Sequence, residues 1–124
     1  MVKIKNEPTE RRKYVRLHTP LNISYTAPAS GRIHTTTTKN VSADGLRLET
    51  NDKALRPNEV VELKLIIAGA SNPVHAKGRV VWKKPVSLED GAPFDVGFEF
   101  VEIEEDNKNT FLKFLCDLIY EKGS

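Results

Sequence analysis

The sequence predicts an all-β fold: a six-stranded antiparallel barrel with a C-terminal α-helix and a flexible N-terminal arm. Apolar residues recur at every second position in six separate runs, which is the pattern of half-buried strands. Short segments rich in glycine, proline, asparagine or aspartate separate most of these runs, as turns do. The C-terminal segment changes to a helical period. Six short strands joined by turns favour a small barrel.

The order of the elements follows from these patterns. Residues 1–10 are polar with almost no apolar content, which is typical of a flexible arm. Residues 11–122 are long enough for one modest domain and too short for two. We expect loops over residues 51–59 and 84–93. The predicted strands begin at Leu21, Arg32, Leu46, Val61, His75 and Phe94.

A helix is predicted near the C-terminus because its apolar residues lie on one helical face. Asp106 or Asn107 is the expected N-cap, and Gly123 can end the helix. We expect the apolar stripe to pack against the barrel. Phe114 lies off that stripe, at its margin or against a partner. The stripe consists of Phe111, Leu112, Leu115, Leu118 and Ile119.

Composition excludes several classes of protein. The net charge of +2 is too small for a protein that coats nucleic acid polymers. The single cysteine, Cys116, allows no internal disulfide, and the N-terminus lacks the apolar region of a signal peptide. The longest apolar stretch, residues 65–70, is too short to span a bilayer. We therefore expect a cytoplasmic protein without membrane insertion.

The first informative motif is a pair of arginines, Arg12 and Arg16, preceded by Arg11. Arginine presents a planar fork of donors that suits phosphate oxygens and the O6/N7 edge of guanine. If the segment is extended, Arg12 and Arg16 face the same side. The plainer alternative is a solvated basic arm that only keeps the protein soluble.

The second motif places Asn40, Ser42 and Gly45 on one turn between two predicted strands. Asparagine and serine can read the hydrogen-bonding edge of a base, and glycine lets a ligand approach the backbone. The plainer alternative is a hairpin in which Asn40 and Ser42 bond the local backbone. Together, the two motifs indicate a pocket for a small anionic guanine nucleotide.

This pairing of RxxxR with (D/N)xSxxG resembles the PilZ domain family, and residues 76–82 and 94–100 resemble its later strands. The resemblance implies a PilZ-type barrel and a receptor for cyclic di-GMP that has no other cofactor. We further expect the N-terminal segment up to about Arg16 to become ordered on the ligand and to pass the signal to an unidentified downstream protein. The implied ligand-binding residues are Arg11, Arg12, Arg16, Asn40, Ser42 and Gly45.

Three details of the resemblance leave alternatives open. An additional arginine such as Arg11 accompanies family members that bind a stacked pair of dinucleotides. Asn40 stands where many members have aspartate, so guanine finds one acceptor fewer, and Asp44 is a candidate for a compensating carboxylate. Trp82 is a candidate stacking wall, but an aromatic residue in an alternating strand favours the core.

Two other functions are compatible with the same fold. A non-binding PilZ-fold scaffold of type IV pilus or motility machinery is the main alternative, although such members usually lose the arginines. A barrel that binds single-stranded nucleic acid is a second. The three histidines lack metal-ligand spacing, and no pairing of a nucleophile with a base appears. We therefore expect neither a metal site nor an enzyme.

Overall fold

The computed structural model describes residues 16–67, 70 and 72–123, and the predicted arm over residues 1–10 lies outside them. Six antiparallel strands close into a barrel in the order β1-β2-β3-β6-β5-β4. This confirms the predicted fold class. The strands are β1 (Asn22–Thr26), β2 (Ile33–Val41), β3 (Gly45–Thr50), β4 (Val60–Ile66), β5 (Val74–Pro85) and β6 (Phe94–Ile103), followed by helix α1 (Glu105–Gly123).

Alternation along the strands explains why the barrel has an apolar interior. In β4, Val61, Leu63 and Leu65 are buried while the residues between them are exposed. The same two-residue period places Ile23 and Tyr25 of β1 inside. Each strand therefore contributes one apolar face to a shared core and one outer face to solvent.

Two strands are longer than the sequence predicts. β5 continues through Pro85 into the predicted loop 84–93, and β6 continues to Ile103. The extra pairing is between the two strands themselves, because Pro85 lies opposite Phe94 and Ala76 lies opposite Ile103. Cross-strand pairing thus extends the strands past the point where apolar alternation ends.

Helix α1 packs its predicted apolar face onto the core. Phe111 and Leu115 are buried, and the Phe111 ring meets Phe100 of β6 edge-on with 5.4 Å between centroids. Phe114 lies partly buried at the margin, whereas Ile119 is exposed, so the buried stripe is shorter than predicted. Among the described residues, no helix combines the length and the apolar content that crossing a bilayer requires.

The expected N-cap of α1 was wrong. The helix already includes Asp106 and Asn107, because it begins at Glu105. The preceding residue, Glu104, donates its backbone N–H to the carbonyl of His75 at 3.0 Å. This pairing with β5 carries the chain directly from β6 into the helix.

A polar cluster fixes one part of the barrel and its neighbouring loop. The buried hydroxyl of Tyr25 lies 2.9 Å from Thr50 Oγ1 and donates to Asp52 at 3.1 Å. The Lys83 ammonium donates to the carbonyls of Asp52 and Leu55, both at 2.8 Å. Burial lowers the pKa of Lys83. Loop 51–59 is therefore tied to β5 at Lys83, next to Trp82.

Candidate functional site

The chain enters the barrel through a two-way backbone bridge. The N–H of Leu17 donates to the Val41 carbonyl at 2.8 Å, and the N–H of Val41 donates to the Leu17 carbonyl at 2.9 Å. Leu17 is buried in the core, so the bridge is anchored by apolar contact as well. The bridge fixes Arg16, the preceding residue, beside the end of β2.

Arg16 and Asn40 are in direct contact. Arg16 Nη1 donates to Asn40 Oδ1 at 3.2 Å in a partly buried position. The two residues come from the two motifs that the sequence singled out, and they are separated by 24 positions along the chain. The structure thus brings one residue of each motif together at one place on the barrel.

The turn between β2 and β3 has its own hydrogen bonds. The N–H of Ser42 donates to the Gly45 carbonyl at 2.8 Å, and the buried Ser42 hydroxyl donates to the Asp44 carboxylate. Ser42 thus satisfies its polar groups within the turn, as the hairpin alternative expects. Here the serine holds the Asp44 carboxylate in place.

Gly45 is required by the barrel itself. A β carbon on Gly45 would collide with the Phe98 carbonyl oxygen and lie 3.1 Å from the Glu99 α carbon. Gly45 pairs with Glu99 across β3 and β6, so the two backbones approach closely at this point. Only glycine fits without moving one of the strands.

Four residues form one row across four neighbouring strands. Asn40 of β2 pairs with Arg47 of β3, Arg47 pairs with Gly97 of β6, and Gly97 pairs with Trp82 of β5. An amide, a guanidinium, a bare backbone and an indole therefore lie side by side. This row, which we call the groove row, crosses the outer face of the barrel.

The prediction that Trp82 belongs to the core was wrong. Its side chain is 36% exposed and borders the groove. Val80 points inward, and simple alternation would turn Trp82 inward as well. However, the β5–β6 register shifts between Val80 and Trp82, and a bulge of this kind reverses the facing of the residues after it. The Lys84 ammonium lies 5.4 Å from the ring centroid.

The residues of the groove row line a groove with a volume of about 320 Å³. Arg16 and Arg47 supply positive charge, and Asp44 and Glu99 supply carboxylates. Glu99 already pairs with Arg79 at 2.9 Å. A groove with arginine donors, carboxylate acceptors and an aromatic wall can hold a planar, anionic, hydrogen-bonding ligand. It is lined by Arg16, Asn40, Asp44, Gly45, Leu46, Arg47, Val81, Trp82, Gly97, Phe98 and Glu99.

Of the six predicted ligand-binding residues, three border this groove: Arg16, Asn40 and Gly45. Ser42 is buried in the turn beside it, and Arg11 and Arg12 lie outside the described residues. Among the residues with a described placement, no group of three or more histidine, cysteine or acidic side chains is arranged to hold a metal ion.

Sequence reasoning missed Arg47 and Gly97 as groove residues. A signal for Arg47 was present, because it lies between the buried residues Leu46 and Leu48 and must face outward. Gly97 carried no comparable signal. Its place in the groove depends on which residues it pairs with on β3 and β5.

The fold and the groove define a small closed antiparallel barrel that presents an arginine-lined site on its outer face. The chain belongs to the PilZ domain family, whose profile matches residues 10–116. A comparison with curated proteins finds no match.

Solved structures share the same fold. The inhibitor of motility MotI/DgrA of Bacillus subtilis is 17% identical, with a TM-score of 0.73 over 90% of this chain and 53% of its own. The MrkH–c-di-GMP complex of K. pneumonia is 19% identical, with a TM-score of 0.73 over 91% and 54%. The PilZ domain of YcgR from Escherichia coli, solved with c-di-GMP, is 14% identical, with a TM-score of 0.67 over 90% and 94%.

At these identities the likeness shows the fold alone. The chain spans about half the length of MotI/DgrA and of MrkH, and nearly the full length of the YcgR PilZ domain. The shared part is therefore the barrel with its helix.

Proposed function

We propose that this chain is a cyclic di-GMP receptor that binds its ligand in the groove described above. The observation that carries the proposal is the contact between Arg16 and Asn40, because it places one residue of each family motif at the edge of the groove. Family membership supports it, as do the MrkH and YcgR structures that contain c-di-GMP.

We propose that different residues bind the phosphates and the bases of the ligand. Cyclic di-GMP carries two phosphodiester charges, which the guanidinium of Arg16 and those of the preceding Arg11 and Arg12 neutralise. The guanine edge binds at Asn40 and at the backbone of Gly45. Ser42 assists indirectly, because its hydroxyl orients the Asp44 carboxylate beside the groove. The exposed face of Trp82 offers a stacking surface for one base.

The signal would be passed on by the N-terminal segment that leads into the barrel at Leu17. The Leu17–Val41 bridge holds Arg16 at the groove, and we propose that a ligand held by Arg16 is also contacted by the residues that precede it. We propose that binding orders the arm and changes the surface offered to an unidentified downstream protein. In this scheme Arg16 exchanges part of its contact with Asn40 for a contact with phosphate.

Isothermal titration of cyclic di-GMP tests this function. Arg12→Ala and Arg16→Ala should each weaken binding by at least about tenfold, the scale of one charge-assisted contact. Arg32→Ala removes the same charge from an exposed residue outside the groove and should bind like the wild type. The molar ratio distinguishes one ligand from the stacked pair that Arg11 favours. A folded wild type that releases no heat supports the scaffold alternative instead.

A further inference from the structure

Among the described groove residues, Arg47 has a charged side chain with a buried nitrogen that lacks a hydrogen-bond acceptor. Its Nε is buried and makes no hydrogen bond to any described residue. Buried polar atoms in folded proteins nearly always have a partner, because leaving one unpaired costs free energy. An unpaired nitrogen on a guanidinium that borders a groove therefore indicates an acceptor that comes from outside the described residues.

The nearby carboxylates do not accept a hydrogen bond from Arg47 Nε. Glu99 is engaged by Arg79 at 2.9 Å, and Asp44 accepts the hydroxyl of Ser42. Arg47 itself forms no ion pair with the residues that the structure describes. Its neighbours in the groove row are an amide, a glycine and, beyond the glycine, an indole.

The groove row also sets the spacing between Arg47 and Trp82. Arg47 and Trp82 flank Gly97 on opposite sides, one strand away each. Neighbouring strands lie about 4.8 Å apart, so the two α carbons are separated by roughly 10 Å. The Trp82 ring covers Gly97 and so fills part of this interval.

We propose that Arg47 binds the O6/N7 edge of a guanine base held at Trp82, and is thereby a specificity-determining residue of the groove. The inference rests on the proposed function, because it takes cyclic di-GMP as the ligand. The arginine fork matches two adjacent acceptors, O6 and N7, in a bidentate pair. Adenine offers an N6 amino donor in place of O6, so the same arginine disfavours adenine.

The test combines a protein change with a ligand change. Cyclic di-GMP and its 7-deaza analogue, which lacks the N7 acceptor, are titrated into the wild type, Arg47→Ala and Arg47→Lys. The wild type should bind the analogue about tenfold or more weakly, since a bidentate pair discriminates on this scale. In Arg47→Ala, binding of cyclic di-GMP should weaken by a similar factor, and the penalty for the analogue should shrink.

The outcomes separate the two proposals. An analogue penalty that is equal in the wild type and Arg47→Ala, or an unchanged affinity in Arg47→Ala, overturns the role of Arg47 and leaves the receptor function intact. A wild type that does not bind cyclic di-GMP overturns both. If Arg47→Ala does not fold, Arg47→Lys carries the test, because it keeps the charge but loses the planar fork. Arg32→Ala is the matched control and should show the full analogue penalty.

Discussion

The indole of Trp82 lies directly over Gly97 on the neighbouring strand. A β carbon built on Gly97 would lie 2.5 Å from Cε2 and 2.9 Å from Cζ2 of the ring, far inside van der Waals contact. The absence of a side chain at Gly97 therefore lets the ring lie against the barrel. The orientation of the groove's aromatic wall depends on a glycine one strand away.

Gly97→Ala should displace the Trp82 ring. Overpacking of this kind costs about 1–3 kcal/mol of unfolding free energy, which denaturant unfolding measures. Trp82 is the only tryptophan in the chain, so its fluorescence reports the displacement directly. In a Trp82→Ala background the same glycine change should cost much less. Equal costs in the two backgrounds would show that the ring does not set the requirement for glycine.

Gly45→Ala should destabilise the barrel whether or not ligand is present. The added carbon meets the Phe98 carbonyl, which cannot move without breaking β3–β6 pairing. We expect a loss of about 2–3 kcal/mol in unfolding free energy. Gly91→Ala is the control, because its added carbon meets no atom within 4 Å and only its φ of 79° opposes alanine. A smaller loss at Gly45 than at Gly91 would contradict the steric account.

The fold was largely predictable because alternating side chains decide which face of a strand is buried. In β4, for example, Val61, Leu63 and Leu65 mark the strand and its inner face from sequence alone. The exact strand ends were not predictable, since Pro85 and Ile103 are held by cross-strand partners and not by local preference.

The site was predictable only in part. Arg16 and Asn40 belong to recognisable motifs, and the structure brings them together. The facing of Trp82 was not predictable, because one bulge reverses it, and the residues after the bulge, Lys83 to Pro85, carry no apolar alternation that would mark the shift. The contribution of Gly97 depends on register across β3, β6 and β5, which a single sequence does not reveal.

Tyr25 should ionise only at strongly alkaline pH. Burial, reinforced by the charge of Asp52, raises the pKa of Tyr25 well above its ordinary value of 10.0. Because the folded-state pKa is raised, the stability that this group contributes is complete below pH 10 and is lost as pH rises beyond it. The tyrosinate absorbance that disappears in Tyr25→Phe measures its titration. An ordinary midpoint for that absorbance would contradict the account.

Ligand binding should slow amide exchange in residues 11–17. The Leu17–Val41 bridge joins this segment to the groove, so contacts to Arg16 stabilise the amides on both sides of the bridge. Strand β4 serves as the internal control, because it lies across the barrel from the groove row and should exchange at the same rate. Unchanged amide exchange in residues 11–17 at saturating cyclic di-GMP would show that the ligand does not order this segment.

The most direct test of the binding site is a titration of the ¹⁵N-labelled protein with cyclic di-GMP, followed by amide chemical shifts. The groove assignment predicts that the largest shifts fall on the backbone amides of Gly45, Arg47 and Gly97 and on the single indole N–H of Trp82. Amides of β1 and β4, on the opposite side of the barrel, should move little. Shifts concentrated on β1 and β4, or no shifts at saturating ligand, would contradict the account.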